Sequence, residues 1–299
     1  MLNTENVQNL SQIRIRKPSA EVELVPADRF TLPQLTDIYN QTRVDYLVPM
    51  PMNERKMREY IHNYDVDLAQ SVVAVSDGQP LGLAMLGVRG DVTWVTRMGI
   101  IPNGRQKGIG RKMLHRLLEN SRRLQAKVIT LDVIKNNTPA ETLFRKTGFR
   151  QTRELLVVRR PPKPVNVVTA GAHVESLGYR EAVELLKRRD DPYSWLTATE
   201  SMLNAGNLSA LYTDLPDGSR GWLVYQNTVF QLGRLVFKAE RGDPTRVAIA
   251  LLENLHWRHP VQDSVVENLP LDYPYWPAMQ QMGYIVSFRR IEMVMPLTE

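Results

Sequence analysis

The segment Ile100-Ile101-Pro102-Asn103-Gly104-Arg105-Gln106-Lys107-Gly108-Ile109-Gly110-Arg111 has the makings of an anion site. An apolar run stops at a proline, the chain turns through glycines, and a helical pattern begins, with Leu114, Leu117 and Leu118 spaced as a buried stripe. The first N–H groups of a helix lack partners within it and the helix dipole is positive there, so a phosphate is stabilised at that end. Gly108 and Gly110 remove side chains that would hold a diphosphate off the backbone. Arg105, Lys107, Arg111 and Lys112 supply countercharge. A P-loop would need GxxxxGK[ST], and no lysine followed by serine or threonine is present here. A dinucleotide-binding GxGxxG would follow the first strand of a βαβ unit, whereas this loop follows the fourth strand. The same residues would also make a solvated basic turn, so the loop alone leaves both readings open.

The elements that must position this loop are legible from periodicity. A strand is expected near Glu21–Val25, then helices near Leu32–Arg43 and Asn53–Asn63. Strands follow at Ser71–Val75, Leu81–Gly87 and Val92–Ile100, with a turn at Ser76-Asp77-Gly78. A helix over Gly108–Arg123, a strand over Val128–Val133, a short helix over Pro139–Thr147 and a strand over Glu154–Arg159 complete an α/β (α+β) domain.

At 299 residues the chain exceeds the usual single domain of about 100–200 residues. Three prolines in Pro161-Pro162-Lys163-Pro164 stop any helix or central strand, which divides the chain into an arm over 1–13, a first domain over 14–160, a linker over 161–164 and a second domain over 165–299. The second domain reads as a diverged copy of the first. Leu117-Leu118-Glu119-Asn120 recurs as Leu251-Leu252-Glu253-Asn254, and Thr147-Gly148-Phe149 is echoed by Met282-Gly283-Tyr284. At that displacement Ile100 falls on Arg234, Arg105 on Ala239, Gly108 on Gly242 and Gly110 on Pro244.

A net charge of +6 suits an anionic partner or simple solubility. No cysteine is present, which excludes disulfides, thiolate metal sites and a cysteine nucleophile. The five histidines show no metal-ligand spacing, so no metal is expected. No apolar stretch reaches the roughly 18–20 residues of a membrane span, and the polar start has no apolar signal core, so a cytoplasmic location without membrane attachment is expected.

Arg105-x-x-Gly108-x-Gly110 after Ile100-x-Pro102 resembles the acyl-CoA loop of the GNAT superfamily of N-acetyltransferases. Downstream, Leu131-x-Val133 and then Asn137-x-x-Ala140-x-x-Leu143-Phe144-x-Lys146-x-Gly148-Phe149 are similar to the same family. The resemblance implies two GNAT-like domains, each a mixed, mainly antiparallel twisted sheet flanked by helices. It also implies acetyl-CoA as co-substrate, bound by Met98, Gly99 and Ile100 on a bulged fourth strand. The loop residues Arg105, Gln106, Lys107, Gly108, Ile109, Gly110 and Arg111 would hold the pyrophosphate, and Asn137 and Phe144 would complete the groove.

The implied chemistry is direct attack of an amine on an acetyl thioester, which calls for a base and an oxyanion donor, the latter a backbone N–H near Met98–Ile100. Asp132 stands where some relatives carry an acidic base, facing away from Leu131 and Val133. Asp45 and Tyr46, between the first two helices, are further candidates at an acceptor-binding position. Trp94 replaces a glutamate of some relatives, and Phe144 replaces a tyrosine that often protonates the leaving thiolate. The second copy lacks the loop's arginine and second glycine, so it is not expected to hold coenzyme A in the usual way; its aromatic residues (Trp195, Tyr212, Trp222, Tyr225, Phe230, Trp257, Tyr273, Tyr275, Trp276) could line an acceptor pocket, although aromatics more often form core. The acceptor is expected to be a small-molecule or peptide amine, and an oligomer is compatible with the sequence. A catalytically silent acyl-CoA-binding or regulatory protein is the rival reading. Nucleic-acid binding through the basic helix is disfavoured because no stacking aromatics accompany it.

Overall fold

In the computed structural model, which describes residues 21–105, 108–190 and 193–297, local signals start most elements. The arm expected over 1–13 and the loop residues Gln106 and Lys107 lie outside the described residues. The first succession is β1 (Glu23–Pro26), α1 (Leu32–Gln41), α2 (Glu54–Asn63), β2 (Val66–Ser76), β3 (Gln79–Arg89), β4 (Val92–Ile100), α3 (Ile109–Arg123), β5 (Val128–Ile134), α4 (Thr138–Thr147) and β6 (Arg150–Arg160). Thr31 and Gln34 form a reciprocal capping box at the start of α1, and Asn53 Oδ1 accepts from the Lys56 N–H at 2.9 Å to start α2. Asp77 and Gly78, both at positive φ, make the tight turn between β2 and β3.

The same order of elements then repeats. It runs β7 (His173–Leu177), α5 (Tyr179–Lys187), α6 (Thr199–Ala205), β8 (Leu208–Asp214), β9 (Arg220–Asn227), β10 (Gln231–Arg241), α7 (Pro244–Arg258), β11 (Asp263–Pro270), α8 (Trp276–Gln281) and β12 (Ile285–Pro296). Among the described residues, no helix is long and apolar enough to cross a membrane.

Both successions share one twelve-stranded, mainly antiparallel sheet in the order β1-β2-β3-β4-β5-β12-β6-β11-β10-β9-β8-β7, with β4–β5 and β10–β11 parallel. The closing strands trade places. β12 pairs along the whole of β5, from Arg290 opposite Ile134 to Pro296 opposite Val128, while β6 lies between β12 and β11. The proline run thus separates the two successions in sequence but not in the sheet.

One face of the first half is covered by α3, whose Met113, Leu114 and Leu117 are fully buried against Val72, Leu86, Ile129 and Leu131. On the other face, Leu35, Tyr39, Met57 and Tyr60 pack on Leu83, Met85 and Trp94, joined by Leu196 from the second half. Each such large apolar side chain contributes roughly 1.5–3 kcal/mol on burial, so the two layers hold the sheet rigid beneath the site.

Candidate active site

β4 and β5 pair only from Val92–Val128 to Val95–Leu131 and then part. At the same level β4 bulges against β3: Met85 opposes Thr96 but Leu83 opposes Gly99, and Arg97 takes φ 48°. A bulge increases local twist and re-aims side chains, and here it opens a cleft in the sheet. The outer part is a cavity of about 590 Å³ lined by Met98, Gly99, Ile100, Arg105, Gly110, Asn137 and Phe144, among others. Seven residues expected to touch coenzyme A therefore share one groove.

The loop geometry follows from its glycines. Gly108 is the N-cap of α3 at φ 73°, no side chain caps the helix there, and a Cβ at Gly108 would meet nothing within 4 Å. Among the described residues, no side chain caps the first N–H groups of this helix. A Cβ on Gly110 would approach Ile100 Cδ1 to 3.1 Å, and one on Gly99 would reach Thr42 Oγ1 at 2.5 Å, so both glycines allow close packing beside the groove. Ile109 instead points into the core under α3. Arg111 is exposed, with Nε 3.4 Å from His115 Nε2.

Asp45 sits at the groove rim and not beside Asp132. Its carboxylate accepts two bonds from the Arg105 guanidinium, at 2.5 and 2.6 Å, and those bonds hold its pKa below the ordinary range. Tyr46 lies deeper: its hydroxyl accepts from Asn137 Nδ2 at 3.4 Å, and the Arg43 guanidinium lies 4.1 Å from its ring centroid.

The cleft continues into an inner chamber of about 150 Å³ that shares Arg43, Tyr46, Met98, Asn137, Ala140 and Phe144 with the groove. Asp132 lines it. Its Oδ2 accepts from Trp94 Nε1 at 3.3 Å and from Asn268 Nδ2, on β11, at 3.0 Å. Burial pushes the Asp132 carboxyl up to about 6, with Arg290 opposing the rise. Tyr60, whose hydroxyl lies 2.5 Å from Thr96 Oγ1, has its phenol raised by burial. Glu267 also faces the chamber; burial works against its ionisation, but Arg290 at 2.6 Å, with Arg97 and Arg234 further off, holds its carboxyl below the usual range.

Fold, groove and loop together point one way, and residues 32–149 match the model of the acetyltransferase (GNAT) family. This segment carries the GNAT family's sequence pattern. Solved structures resemble the chain over both halves. A GCN5-related N-acetyltransferase from Sphaerobacter thermophilus superposes with TM-score 0.69 at 19% identity, over 93% of this chain and 96% of that one. A tandem GNAT protein from the clavulanic acid biosynthesis pathway gives TM-score 0.66 at 16% identity, over 93% and 99%. A glucosamine N-acetyltransferase region within a fungal β-N-acetylglucosaminidase gives 0.71 at 16%, over 92% of this chain and 38% of that one. At these identities the likeness is one of fold. A comparison with curated proteins gave no match.

The second half differs at the corresponding strand and turn. Arg234, at φ 55° in the bulge of β10, is the counterpart of Arg97, so the overlay of Ile100 on Arg234 expected from the sequence is corrected here. Only Gly242 and Asp243 connect β10 to α7, and Asp243 caps that helix by accepting from Thr245 N–H at 2.8 Å. A Cβ on Gly242 would lie 2.1 Å from Ser219 Oγ, so this turn is closed where Gly108 is open. On β10 the Phe237 and Ala239 N–H groups donate to the hydroxyls of Tyr273 at 3.3 Å and Tyr275 at 2.7 Å.

Sequence reasoning missed Arg97, Tyr60, Asn268, Glu267 and Arg290. The bulges that hold Arg97 and Arg234 have no sequence signal of their own, and the last three residues enter only through the exchanged strands. Trp195 lies behind the chamber wall and lines neither cavity: it stacks on Trp94 with centroids 5.7 Å apart and planes at 14°, and Nε1 donates to the Tyr64 carbonyl at 2.9 Å. Phe144 packs edge-on against Phe149 at 5.9 Å and offers no proton.

Proposed function

We propose that the protein moves an acetyl group from acetyl-CoA to a primary amine by direct attack, with Asp132 as the base. The observation that carries this reading is that a carboxyl with pKa raised to about 6 lines a chamber sharing a wall with the glycine-loop groove. The residues present fit the co-substrate: the start of α3 at Gly108, uncapped by side chains among the described residues, suits the pyrophosphate, with Arg105 and Arg111 nearby, and Met98, Gly99, Ile100, Asn137 and Phe144 line space for the pantetheine arm. The thioester supplies the electrophilic acyl carbon. A backbone N–H near Met98–Ile100 polarises its oxygen, and Asp132 receives the proton that the amine sheds, directly or through water. The Tyr46 hydroxyl, which lines both spaces, is placed to return a proton to the thiolate in the role Phe144 does not fill.

In this reading the second half is a platform and not a second coenzyme A site, since Asp243 caps α7 and Tyr273 and Tyr275 cover β10. Calorimetry is the first test. One coenzyme A per chain, lost in Gly108→Glu, is expected; two sites, or unchanged binding in the variant, would remove the assignment. A silent acyl-CoA-binding protein is favoured by one observation, the apolar packing of Phe144. Intact coenzyme A binding with no turnover across an amine panel would decide for it.

A further inference from the structure

We propose that the acceptor is a small amino-carboxylate: a primary amine whose carboxylate is held by Arg97 and Arg43 while its amine meets Asp132. This rests on the acetyltransferase reading above and adds the acceptor's charge. The chamber is lined by three arginines, Arg43, Arg97 and Arg290, against two carboxylates, Asp132 and Glu267. Arg290 is matched within the protein, to Glu267 Oε2 at 2.6 Å and to Asn268 Oδ1 at 2.6 Å. The other two are not. Among the described residues, neither Arg43 nor Arg97 has a carboxylate within the 4.0 Å of an ion pair, and the Nε of each is buried without a hydrogen-bond partner.

Their existing contacts are with neutral groups. Arg97 donates to Tyr39 Oη at 3.0 Å and lies over the Tyr60 ring at 4.0 Å. Arg43 donates to the Met98 carbonyl at 3.0 Å. A guanidinium keeps its proton in any protein setting, so burial without a paired carboxylate leaves charge only partly compensated, Glu267 acting on Arg97 from a distance. Its planar fork matches a carboxylate with two parallel bonds. An acceptor with an amine at one end and a carboxylate at the other would satisfy both kinds of wall. The same arginines repel polycations such as polyamines, which would bring further positive charge into a chamber of about 150 Å³.

The experiment pairs each amino acid with its decarboxylated counterpart: glycine with methylamine, β-alanine with ethylamine, 4-aminobutyrate with propylamine, and spermidine as the polycation, all with acetyl-CoA and the full chain. At least one amino acid should exceed its counterpart in kcat/KM by roughly tenfold or more. Arg97→Lys and Arg43→Gln should each narrow that ratio, mainly through KM; the two variants are made separately in case the buried one fails to fold. Plain amines or spermidine matching the amino acids would overturn the inference and leave acetyl transfer standing.

Silence with every amine would sink the acetyltransferase reading, and binding then decides this one. With coenzyme A present, propionate and butyrate, but not propylamine, should quench the emission of the stacked Trp94 and Trp195 saturably. Arg43→Gln should weaken that response. No response to the acids would overturn the proposal.

Discussion

Asn268 on β11 donates from Nδ2 to Oδ2 of Asp132 on β5 at 3.0 Å, across 136 residues of sequence. The proposed base of one half is thus gripped by an amide of the other. If Asp132 removes the proton, only its ionised form works, so kcat/KM should rise with pH up to about 6 and level off above it. Asp132→Asn should lower kcat by about 10²–10⁴-fold and abolish the acidic limb. Initial rates across the pH range, with acetyl-CoA saturating, check both.

The amide has a sign of its own. A hydrogen bond to the ionised carboxylate favours ionisation, and the one from Asn268 lowers the Asp132 pKa. Removing it in Asn268→Gly, where glycine tolerates the native φ of 58°, should move the acidic limb to higher pH and leave the plateau rate nearly intact. A limb that stays in place would make the contact purely structural.

Arg105 and Asp45 give opposite expectations from one ion pair. Losing a charge-assisted contact to phosphate in Arg105→Ala should raise KM for acetyl-CoA by roughly tenfold or more at constant kcat. Asp45→Asn releases Arg105 from its two bonds and should lower that KM or leave it unchanged. A large fall in kcat for Asp45→Asn would instead put this carboxylate in the chemistry.

Trp195 links stability to the site. It fills the space over Gly87, whose Cβ would lie 2.9 Å from Trp195 Cζ2, and stacks on the Trp94 that also bonds Asp132. Trp195→Ala should cost about 2–4 kcal/mol in denaturant unfolding. It should also erase any exciton signal of the stacked pair in circular dichroism.

Much of this was legible in the sequence, for local reasons. Strand β4 has the bounds its apolar run predicts, and Asp132 lies on the face that alternation with Leu131 and Val133 assigns. Gly108 caps α3 as a glycine before an apolar stripe should. Period-two patterning reveals which face a strand buries but not which strand lies beside it. Nothing in Ile285–Pro296 therefore announces its place between β5 and β6, and Asn268, Glu267 and Arg290 could not be brought to the chamber by reading. The positive φ of Arg97 is likewise imposed by the surrounding sheet, since a non-glycine residue rarely chooses it alone. The grip of Arg105 on Asp45 depends on how the connection after α1 folds back, which neither residue type dictates.

The traded strands have a consequence for how the molecule is born. While a ribosome is still making the second half, β5 has an open edge where β12 will lie, and the amide that holds Asp132 has not been made. Domains usually fold in turn as they emerge, and a pairing this distant in sequence is slow to form. Here neither half has its full set of strand partners without the other, since β12 covers the edge of β5 with Glu292 opposite Asp132. Removing either half would bare a strand edge on the other, at β5 or at β11.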